Sequence, residues 1–341
     1  GIYRALQEAP VSKKAKLMKD NIAPVLIIAF NRPDLAAELI NILRQNRVMK
    51  IYFAVDGPRP DRTGEIERCL AVRNLIKQFD WGCEVQTRFA EQNQGCKYGP
   101  ANAINWFFDN VDSGIILEDD CHPVSDFFPF ATELLVKFAD DHRIGMISGH
   151  NFYQFQTDKT SSYYFSKLPI ISGWATWRRA WAFQDVSLSR YRVKMDQIKA
   201  SLGHSTRFRN YWWKYIDQWE AGLDSWAIPW AIALFANDML CIKPAVNLIS
   251  NQGFRDDSTH TSFEYDSQRY ESTKSLAWPL VHPEIGSGQI LVDEQADIKD
   301  ENRYVGVWRR GLTWLGAKVG WPLKMLVKYV HYFESKARGW D

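Results

Sequence analysis

The sequence predicts an α/β fold, a mostly parallel sheet covered by helices, and three observations lead to this prediction. Apolar segments of strand length alternate with amphipathic helical segments from Pro24 to about residue 150. The apolar runs are short and rich in branched residues, which is typical of strands buried on both faces. The chain has 341 residues, 46% of them apolar and 24% charged, and is therefore long enough for a substantial core.

The predicted elements follow one another in a regular order. Strands are expected at Val25–Phe30, Ile51–Val55, Glu84–Phe89, Gly114–Leu117 and Ile144–Ser148. Helices are expected between them, at Pro33–Arg44, Glu65–Phe79, Ala101–Phe108 and Phe127–Ala139. Residues 151–302 are less regular, and helices are expected there at Arg207–Gln218 and Asp224–Ala236.

Three consecutive carboxylates end one of these strands. The run Ile115–Leu117 is followed by Glu118, Asp119 and Asp120. Adjacent acids repel one another unless a cation lies among them, and open α/β sheets bind ligands at the carboxyl ends of their strands. Mg²⁺ and Mn²⁺ prefer oxygen ligands and commonly bridge carboxylates to substrate phosphates. The tripeptide therefore predicts a metal–diphosphate site, and a solvated acidic turn is the alternative.

Further polar residues are expected at the same sheet edge. Asn31 and Arg32 follow the first predicted strand, and Asp56 follows the second. The planar guanidinium of Arg32 suits phosphate or ribose oxygens, and the Asp56 carboxylate could accept the imide N–H of uracil. Taken singly, Arg32 could be a surface residue at a helix start and Asp56 a turn residue. Their position at one edge favours the functional interpretation of both.

Composition narrows the class of protein. The five cysteines are odd in number, scattered and without a CxxC pair, which argues against a disulfide framework or a zinc site. This usage favours a reducing, cytoplasmic compartment. No apolar run approaches the roughly 20 residues that span a bilayer. The 15 Trp, 14 Tyr and 19 Phe give mild support to carbohydrate binding, although aromatic residues also fill cores.

The last part of the chain is basic and amphipathic. Residues 303–341 carry eight Lys/Arg against Glu334 and Asp341, and the helical spacing from Pro322 places Leu323, Leu326, Val327, Val330 and Phe333 on one face. This pattern predicts an interfacial helix that binds an anionic membrane, on the inner face of the plasma membrane. A helix packed back on the domain is the alternative. Nucleic acid is disfavoured as a partner because the basic surplus is confined to this apolar-faced tail.

Six segments between residues 24 and 262 carry a resemblance to a known family. In order along the chain they are Ile28–Pro33, Val55–Gly57, Asn93–Cys96, Ile115–Pro123, Ser172–Trp177 and Asn247–Thr261. With these segments the chain resembles the metal-dependent glycosyltransferases of the GT-A fold, in particular bacterial sugar transferases distantly similar to N-acetylglucosaminyltransferase I. The resemblance implies a GT-A (Rossmann-like) fold. Four parts are then expected: a lead-in at 1–22, a nucleotide-sugar-binding half at 23–150, the acceptor-side half of the same domain at 151–302, and the tail at 303–341.

The resemblance also implies roles for the polar residues at the sheet edge. Arg32 would contact the nucleotide and Asp56 the uracil. Asp120 would be the principal protein ligand of Mn²⁺ or Mg²⁺, Asp119 would hold the ribose, and Glu118 would hold hydroxyls of the donor sugar.

Residues outside the acidic motif are also candidates. Lys97 could contact phosphate, with a surface lysine as the alternative. Gly173 and Trp174 match the stretch that walls the donor and acceptor pocket in the family. His260, in the late polar loop, could ligate the metal or donate to phosphate, with a satisfied loop histidine as the alternative. An acceptor-stacking platform could draw on one or two of Trp212, Trp213, Trp219, Trp226 and Trp230, most of which are expected in the core.

Asp224 is the candidate general base. Inverting transfer needs a base on the face of the sugar opposite the leaving diphosphate, and Asp224 lies at the matching family position ahead of a helix. It is also expected to act as an N-cap-like residue of that helix, and pure capping is the alternative role. The related enzyme has two adjacent acids in this region, whereas the neighbour here is Ser225.

The predicted function is an inverting, metal-dependent glycosyltransferase. The donor is expected to be a UDP-sugar, UDP-GlcNAc or a related hexose, and the acceptor a glycan or lipid-linked sugar in bacterial surface polysaccharide synthesis. A non-catalytic carbohydrate-binding or nucleotide-sugar-binding assembly module on the same fold is the alternative. A nucleotidyltransferase is disfavoured because Ala29–Pro33 is not a glycine-rich basic loop.

Overall fold

The computed structural model describes residues 21–151, 154–253, 273–285 and 288–305. The described strands are β1 (Val25–Ala29), β2 (Lys50–Val55), β3 (Glu84–Phe89), β4 (Ser113–Glu118), β5 (Cys121–Pro123), β6 (Ile144–Ser148), β7 (Tyr163–Ser166), β8 (Trp174–Trp177), β9 (Leu240–Pro244) and β10 (Ile249–Asn251). The described α-helices are α1 (Pro33–Gln45), α2 (Glu65–Asn74), α3 (Gly95–Asn110), α4 (Phe127–Lys137), α5 (Arg178–Trp181), α6 (Met195–Ser201), α7 (Thr206–Glu220), α8 (Ala227–Ala236) and α9 (Glu294–Val305).

Eight of the described strands form one mixed sheet in the order β3-β2-β1-β4-β8-β6-β9-β7. The pairs β1–β2, β1–β4, β2–β3 and β6–β9 are parallel, whereas β4–β8, β6–β8 and β7–β9 are antiparallel. Six of the eight strands therefore run in one direction, and β7 and β8 run in the other. The predicted α/β class with a mostly parallel, helix-covered sheet is confirmed.

Successive residues of the central strands enter two different core layers. Leu26 packs in a cluster with Ile104 of α3, whereas its neighbour Ile27 packs in a cluster with Leu39 of α1 and Phe128 of α4. Because side chains alternate across a strand, helices on both faces require both sets of residues to be apolar. This requirement explains the uninterrupted apolar runs in the sequence.

Several elements and boundaries differ from prediction. Helix α3 begins at Gly95, earlier than the predicted Ala101–Phe108, and contains Pro100. Proline removes one backbone hydrogen bond, but the buried face that includes Ile104 and Phe107 keeps the segment helical. Strands β5, β7, β8, β9 and β10 were not predicted, because runs of three to five residues carry little usable period. Helix α8 begins at Ala227 and not at Asp224.

Helix α9 is docked by three buried carboxylates, Asp297, Asp300 and Glu301, which we call the docking acids. Lys243 Nζ donates to Asp300 Oδ2 at 2.6 Å. Asp297 accepts from the Ser166 hydroxyl and from the backbone N–H of Lys167, and it faces His204 Nε2 at 3.1 Å. Glu301 accepts the backbone N–H groups of His204 and Ser205. Every docking acid thus meets at least one donor from the body of the domain.

Two predicted segments fall largely beyond the described part of the chain. The lead-in, 1–22, enters it only at residue 21, and the basic tail, 303–341, leaves it after residue 305. Among the helices in the described ranges, none combines the length and the apolar character that crossing a bilayer requires.

Candidate active site

A cleft of about 300 Å³ lies over the carboxyl ends of β1, β2 and β4, beside the start of α3. Its lining includes five of the acids and bases predicted from the sheet edge, namely Arg32, Asp56, Glu118, Asp119 and Asp120. Asp224 also lines it. Parallel strands end at one edge, and the structure brings these residues together there for that reason.

Arg32 lies among the three acids that end β4, Glu118, Asp119 and Asp120, which we call the cleft acids. Its guanidinium donates to Asp119 Oδ1 and lies 3.1 Å from Asp120 Oδ2. Burial disfavours the charge of Arg32, but the attraction of Asp119 and Asp120 prevails and raises its pKa. One cation therefore faces three carboxyl groups.

The positive charge of Arg32 does not fully offset the repulsion among the three cleft acids. Burial and the repulsion of Asp120 and Asp119 raise the pKa of Glu118 well above its usual range. Burial also raises the pKa of Asp119, although Arg32 opposes this shift. Asp119 Oδ2 is buried and accepts no hydrogen bond from the described residues. A buried carboxylate oxygen without a donor is costly, and it is an open position for a cation or a donor group.

The chemistry of this donor set fits Mg²⁺ or Mn²⁺. Within the described ranges no three His, Cys, Asp or Glu side chains converge as a complete ligand set. Such ions are commonly held by only one or two carboxylates, with substrate phosphates and water completing the coordination. Asp120, the predicted ligand, and the open Oδ2 of Asp119 would be the protein ligands beside a diphosphate, and the predicted contact of Asp119 with ribose stays a prediction.

A second chain segment covers Asp120. The backbone N–H of Gln252 donates to the carbonyl of Asp120 at 2.8 Å, and a Cβ at Gly253 would lie 2.2 Å from Asp120 Oδ2. The side chain of Asn251 accepts the Gly253 N–H at 2.7 Å and so fixes this close approach. Strand β10 is thereby held against the cleft acids.

Asp56 anchors the turn that precedes α3. Its carboxylate accepts the backbone N–H groups of Gly57 and Gln94 and the side-chain N–H of Asn93, all at 2.8–3.1 Å. Burial raises the pKa of Asp56 even though these hydrogen bonds oppose the shift. Three donors occupy most of the lone pairs of this carboxylate. The predicted contact with uracil stays a prediction, and the contacts made in this structure are structural.

Asp224 joins the two predicted halves of the chain at the cleft wall. Its Oδ2 accepts the backbone N–H of Cys96 and its Oδ1 accepts that of Lys97, both at 2.7 Å. These N–H groups lie in the first turn of α3 and have no partner within the helix. Asp224 therefore caps α3. The prediction that it caps its own helix is wrong, because α8 starts at Ala227 with Trp226 at the N-cap position.

Gly95 makes the Asp224 contact sterically possible. It has a φ of +74°, and a Cβ there would lie 2.7 Å from Asp224 Oδ2. The Asp224 side chain is exposed toward the cleft while both its oxygens are held by the α3 backbone. Its carboxylate is thus fixed in orientation and accessible to a bound molecule.

Lys97 lies outside the lining of the cleft. Its Nζ is 4.0 Å from the centre of the Trp219 ring and 5.6 Å from that of the Tyr98 ring. Its predicted contact with phosphate stays a prediction.

Gly173 and Trp174 do not line the cleft. Trp174 is only 1% exposed, stacks on Trp226 at 5.8 Å and lies 5.7 Å from Trp230. The prediction that Trp174 walls the pocket is wrong, because these rings pack together as core. Gly173 is buried against Ile249.

Most of the candidate platform tryptophans are core as well. Trp219, Trp226 and Trp230 are buried, whereas Trp213 is 42% exposed. His260 lies outside the described residues, so its predicted role as a metal ligand stays a prediction.

Two further arginines, Arg59 and Arg88, which no pattern in the sequence singles out, line the cleft. Arg59 is held by Glu65 through Nε at 3.0 Å and Nη2 at 2.6 Å, and Glu65 also accepts from the side chain of Asn31. Arg88, in β3, is exposed and lines the cleft. Glu65 is almost fully buried, and a buried acid is rarely found without a cation beside it. Its burial therefore indicates a partner such as Arg59, but this burial is known only from the structure.

Comparisons with known proteins add little to these observations. No protein-family profile matches the chain, and no curated protein is similar enough to count as a match. Among solved structures, the chain is similar to the mannosyltransferase PcManGT from Pyrobaculum calidifontis in complex with GDP-Man and Mn²⁺, with a TM-score of 0.33 and 14% identity. The alignment covers 69% of this chain and 81% of the mannosyltransferase. At that TM-score the likeness carries no weight beside the chain's own residues.

Proposed function

We propose that this chain is a metal-dependent glycosyltransferase that transfers a sugar from a nucleoside diphosphate sugar to an acceptor hydroxyl. The observation that carries the proposal is the group of cleft acids at the sheet edge, with one arginine among them and one carboxylate oxygen, Asp119 Oδ2, without a partner. Such a site suits a divalent cation and the diphosphate that it accompanies.

In this proposal Arg32 and the cleft acids bind the donor and its cation. Asp119 and Asp120 hold Mn²⁺ or Mg²⁺, which when bound would neutralise the negative charge of the departing diphosphate. Arg32, already beside both acids, donates to phosphate or ribose oxygens. Glu118 contacts the donor sugar.

Asp224 is proposed as the general base. The α3 N–H groups fix its carboxylate, and it is open to the cleft where it can accept the proton of the attacking hydroxyl. The attack then occurs with inversion. The resemblance further supports a UDP-sugar, UDP-GlcNAc or a related hexose, as donor and a glycan or lipid-linked sugar of bacterial surface polysaccharide as acceptor.

The test combines a donor screen with nucleotide-dependent stabilisation. Purified protein is incubated with a panel of nucleotide sugars and Mn²⁺, and slow donor hydrolysis identifies the donor. Thermal unfolding with UDP is then compared in Mn²⁺ and in EDTA. We expect stabilisation in Mn²⁺ only, because the diphosphate and the ion bind together.

Variants separate the two carboxylate roles. Asp120→Asn should lose the metal-dependent stabilisation, whereas Asp224→Asn should keep it and lose transfer by a factor on the order of 10² or more. Asp112→Asn, an exposed acid at the opposite end of β4, is the matched control and should change neither. Stabilisation by UDP that is equal in EDTA would favour the non-catalytic binding module. Full transfer by Asp224→Asn would remove that residue from the reaction.

A further inference from the structure

A cationic aromatic corner borders the candidate base on the outside of the cleft. It consists of Lys97, Tyr98 and Trp219, none of which lines the cleft. Asp224 lines the cleft and also bonds the backbone of Lys97, so it borders both regions. A group that binds at this corner lies beside Asp224 without occupying the space of a donor nucleotide.

Three contacts fix the corner relative to Asp224. The backbone N–H of Lys97 donates to Asp224 Oδ1 at 2.7 Å. The indole N–H of Trp219 donates to the carbonyl of Ser225, the residue after Asp224, at 3.1 Å. Lys97 Nζ then rests 4.0 Å from the centre of the Trp219 ring, which closes the connection. The ammonium group is therefore positioned by the same elements that position the base.

The charge and the exposed ring of the corner are available to a ligand. No carboxylate of the described residues forms an ion pair with Lys97, and both oxygens of Asp224 accept backbone N–H groups. Tyr98 is 53% exposed, and its ring centre lies 5.6 Å from Lys97 Nζ. Flat aromatic rings pack against the apolar faces of sugars, and an ammonium attracts an anionic substituent on the same sugar.

We propose that this corner is an acceptor subsite for a carboxylate-bearing saccharide, with the sugar ring on Tyr98 and the carboxylate at Lys97. The inference rests on the proposed function, because it gives the acceptor of that reaction its chemical class. The charge of Lys97 supports the assignment, because no carboxylate of the described residues pairs with it and it can attract a carboxylate of the acceptor. The cleft beside it is of mixed charge, lined by the cleft acids, Asp56 and Asp224 and by Arg32, Arg59 and Arg88.

The experiment uses two probes with the same sugar backbone, trigalacturonate and its fully methyl-esterified form, which lacks the negative charges. Their affinities for the full chain are measured by NMR titration at low salt and again at 0.5 M NaCl, without any donor. We expect the acid to bind about fivefold more tightly than the ester at low salt, as for a partly exposed ion pair, and the preference to disappear at high salt.

Three variants assign the effect to the corner. Lys97→Met should equalise the two affinities, because it keeps the length of the side chain and removes the charge. Tyr98→Ala should weaken both probes. Lys199→Met is the matched control, since Lys199 also lies over a tryptophan, Trp213, but its charge is paired with Asp217 at 3.7 Å. It should leave the preference intact.

Several results would overturn the inference: no binding of either probe, equal affinity in the unsubstituted chain, or a preference that survives in Lys97→Met. The UDP and Mn²⁺ stabilisation measured on the same preparations reports the proposed function separately. If that stabilisation fails while the acid preference holds, the corner is a saccharide site and the transferase proposal is wrong. If it holds while the preference fails, only the acceptor class is wrong.

Discussion

Two groups of acids in this molecule have opposite surroundings. The docking acids of α9 meet Lys243, His204, the Ser166 hydroxyl and three backbone N–H groups. The cleft acids meet one arginine and the weakly donating thiol of Cys121, and one of their buried oxygens has no donor among the described residues. Both groups are largely removed from water.

This difference in hydrogen-bond partners indicates a structural role for the docking acids and a binding role for the cleft acids. Acids whose lone pairs are filled by protein donors stabilise the contact between elements. Acids that repel one another and lack donors destabilise the unliganded chain, and a bound cation or donor group relieves that repulsion. Neutralising an acid should therefore have opposite effects on stability at the two places, and removing a cation should cost more at the docking acids than at the cleft acids. Four substitutions test these expectations.

The largest loss of stability is expected for Lys243→Met. Lys243 is fully buried, and its removal leaves Asp300 buried without a cation, which typically costs about 3–5 kcal/mol. Urea unfolding monitored by circular dichroism measures the free energy of unfolding. The double variant Lys243→Met with Asp300→Leu is the control and should recover most of the loss. A single variant that loses less than about 1 kcal/mol would contradict the structural role of the pair.

A smaller loss is expected for Arg32→Met, about 2 kcal/mol, because Arg32 is 19% exposed and water can reach the acids that it leaves. Mn²⁺ should then raise the melting temperature of the variant more than that of the unsubstituted chain, since the ion takes over the neutralisation. Arg62→Met, at a 63% exposed arginine, serves as the control and should be neutral. An Mn²⁺ effect equal in both proteins would contradict the view that Arg32 and the ion serve the same acids.

Glu118→Gln should change stability in the opposite direction. The raised pKa of Glu118 shows that its charged form is disfavoured in the folded chain, so the neutral isostere should stabilise by about 0.5–1 kcal/mol. The same variant should lose donor turnover in the Mn²⁺ screen. Asp300→Asn provides the comparison, because it removes a satisfied charge and should destabilise. Destabilisation by both variants would remove the distinction between the two groups.

The smallest effect is a pH dependence at His204. The hydrogen bond to Asp297 raises the pKa of His204 against the cost of burial, so the folded chain binds this proton more tightly than the unfolded chain. The stabilisation is complete below the unfolded pKa of about 6.5 and is lost as the pH rises through the folded value. Between pH 6 and pH 8 the unsubstituted chain should lose about 0.5 kcal/mol more than His204→Asn. Urea unfolding at each pH measures this difference. If the free energy of unfolding changed equally with pH in both proteins, the role of His204 would be contradicted.

The sequence was informative wherever a local pattern determined the structure. The strands at residues 25–29, 50–55, 113–118 and 144–148 follow from apolar runs, since a strand buried on both faces must be apolar throughout. The strand at 84–89 lies at the edge of the sheet and is largely exposed, and it follows instead from the alternation of its residues. The meeting of Arg32 with Asp119 and Asp120 follows from the parallel order of β1 and β4. Both inferences follow from the local pattern alone and require no knowledge of contacts between distant segments.

Contacts between distant segments were not predictable in the same way. Asp224 was expected to cap the nearest helix, but it caps α3, which is more than a hundred residues earlier. Trp174 was expected in the pocket, but it is buried by three tryptophans: Trp181 of α5, Trp226 just before α8 and Trp230 within α8. The Arg59–Glu65 pair is likewise visible only when burial is known. In each case the residue type allowed both outcomes, and tertiary packing decided.

The contact between Gly95 and Asp224 has a consequence for the history of the chain. A side chain at position 95 would lie 2.7 Å from the carboxylate of Asp224, so the aspartate adds a steric demand for glycine to the one that the φ of +74° already makes. In any lineage that abandons the aspartate, the steric demand is released while the positive φ remains, and asparagine, which tolerates a positive φ better than most residues, can then replace the glycine. The two positions should therefore covary in an alignment of relatives, and their joint presence would mark descendants that retain this geometry.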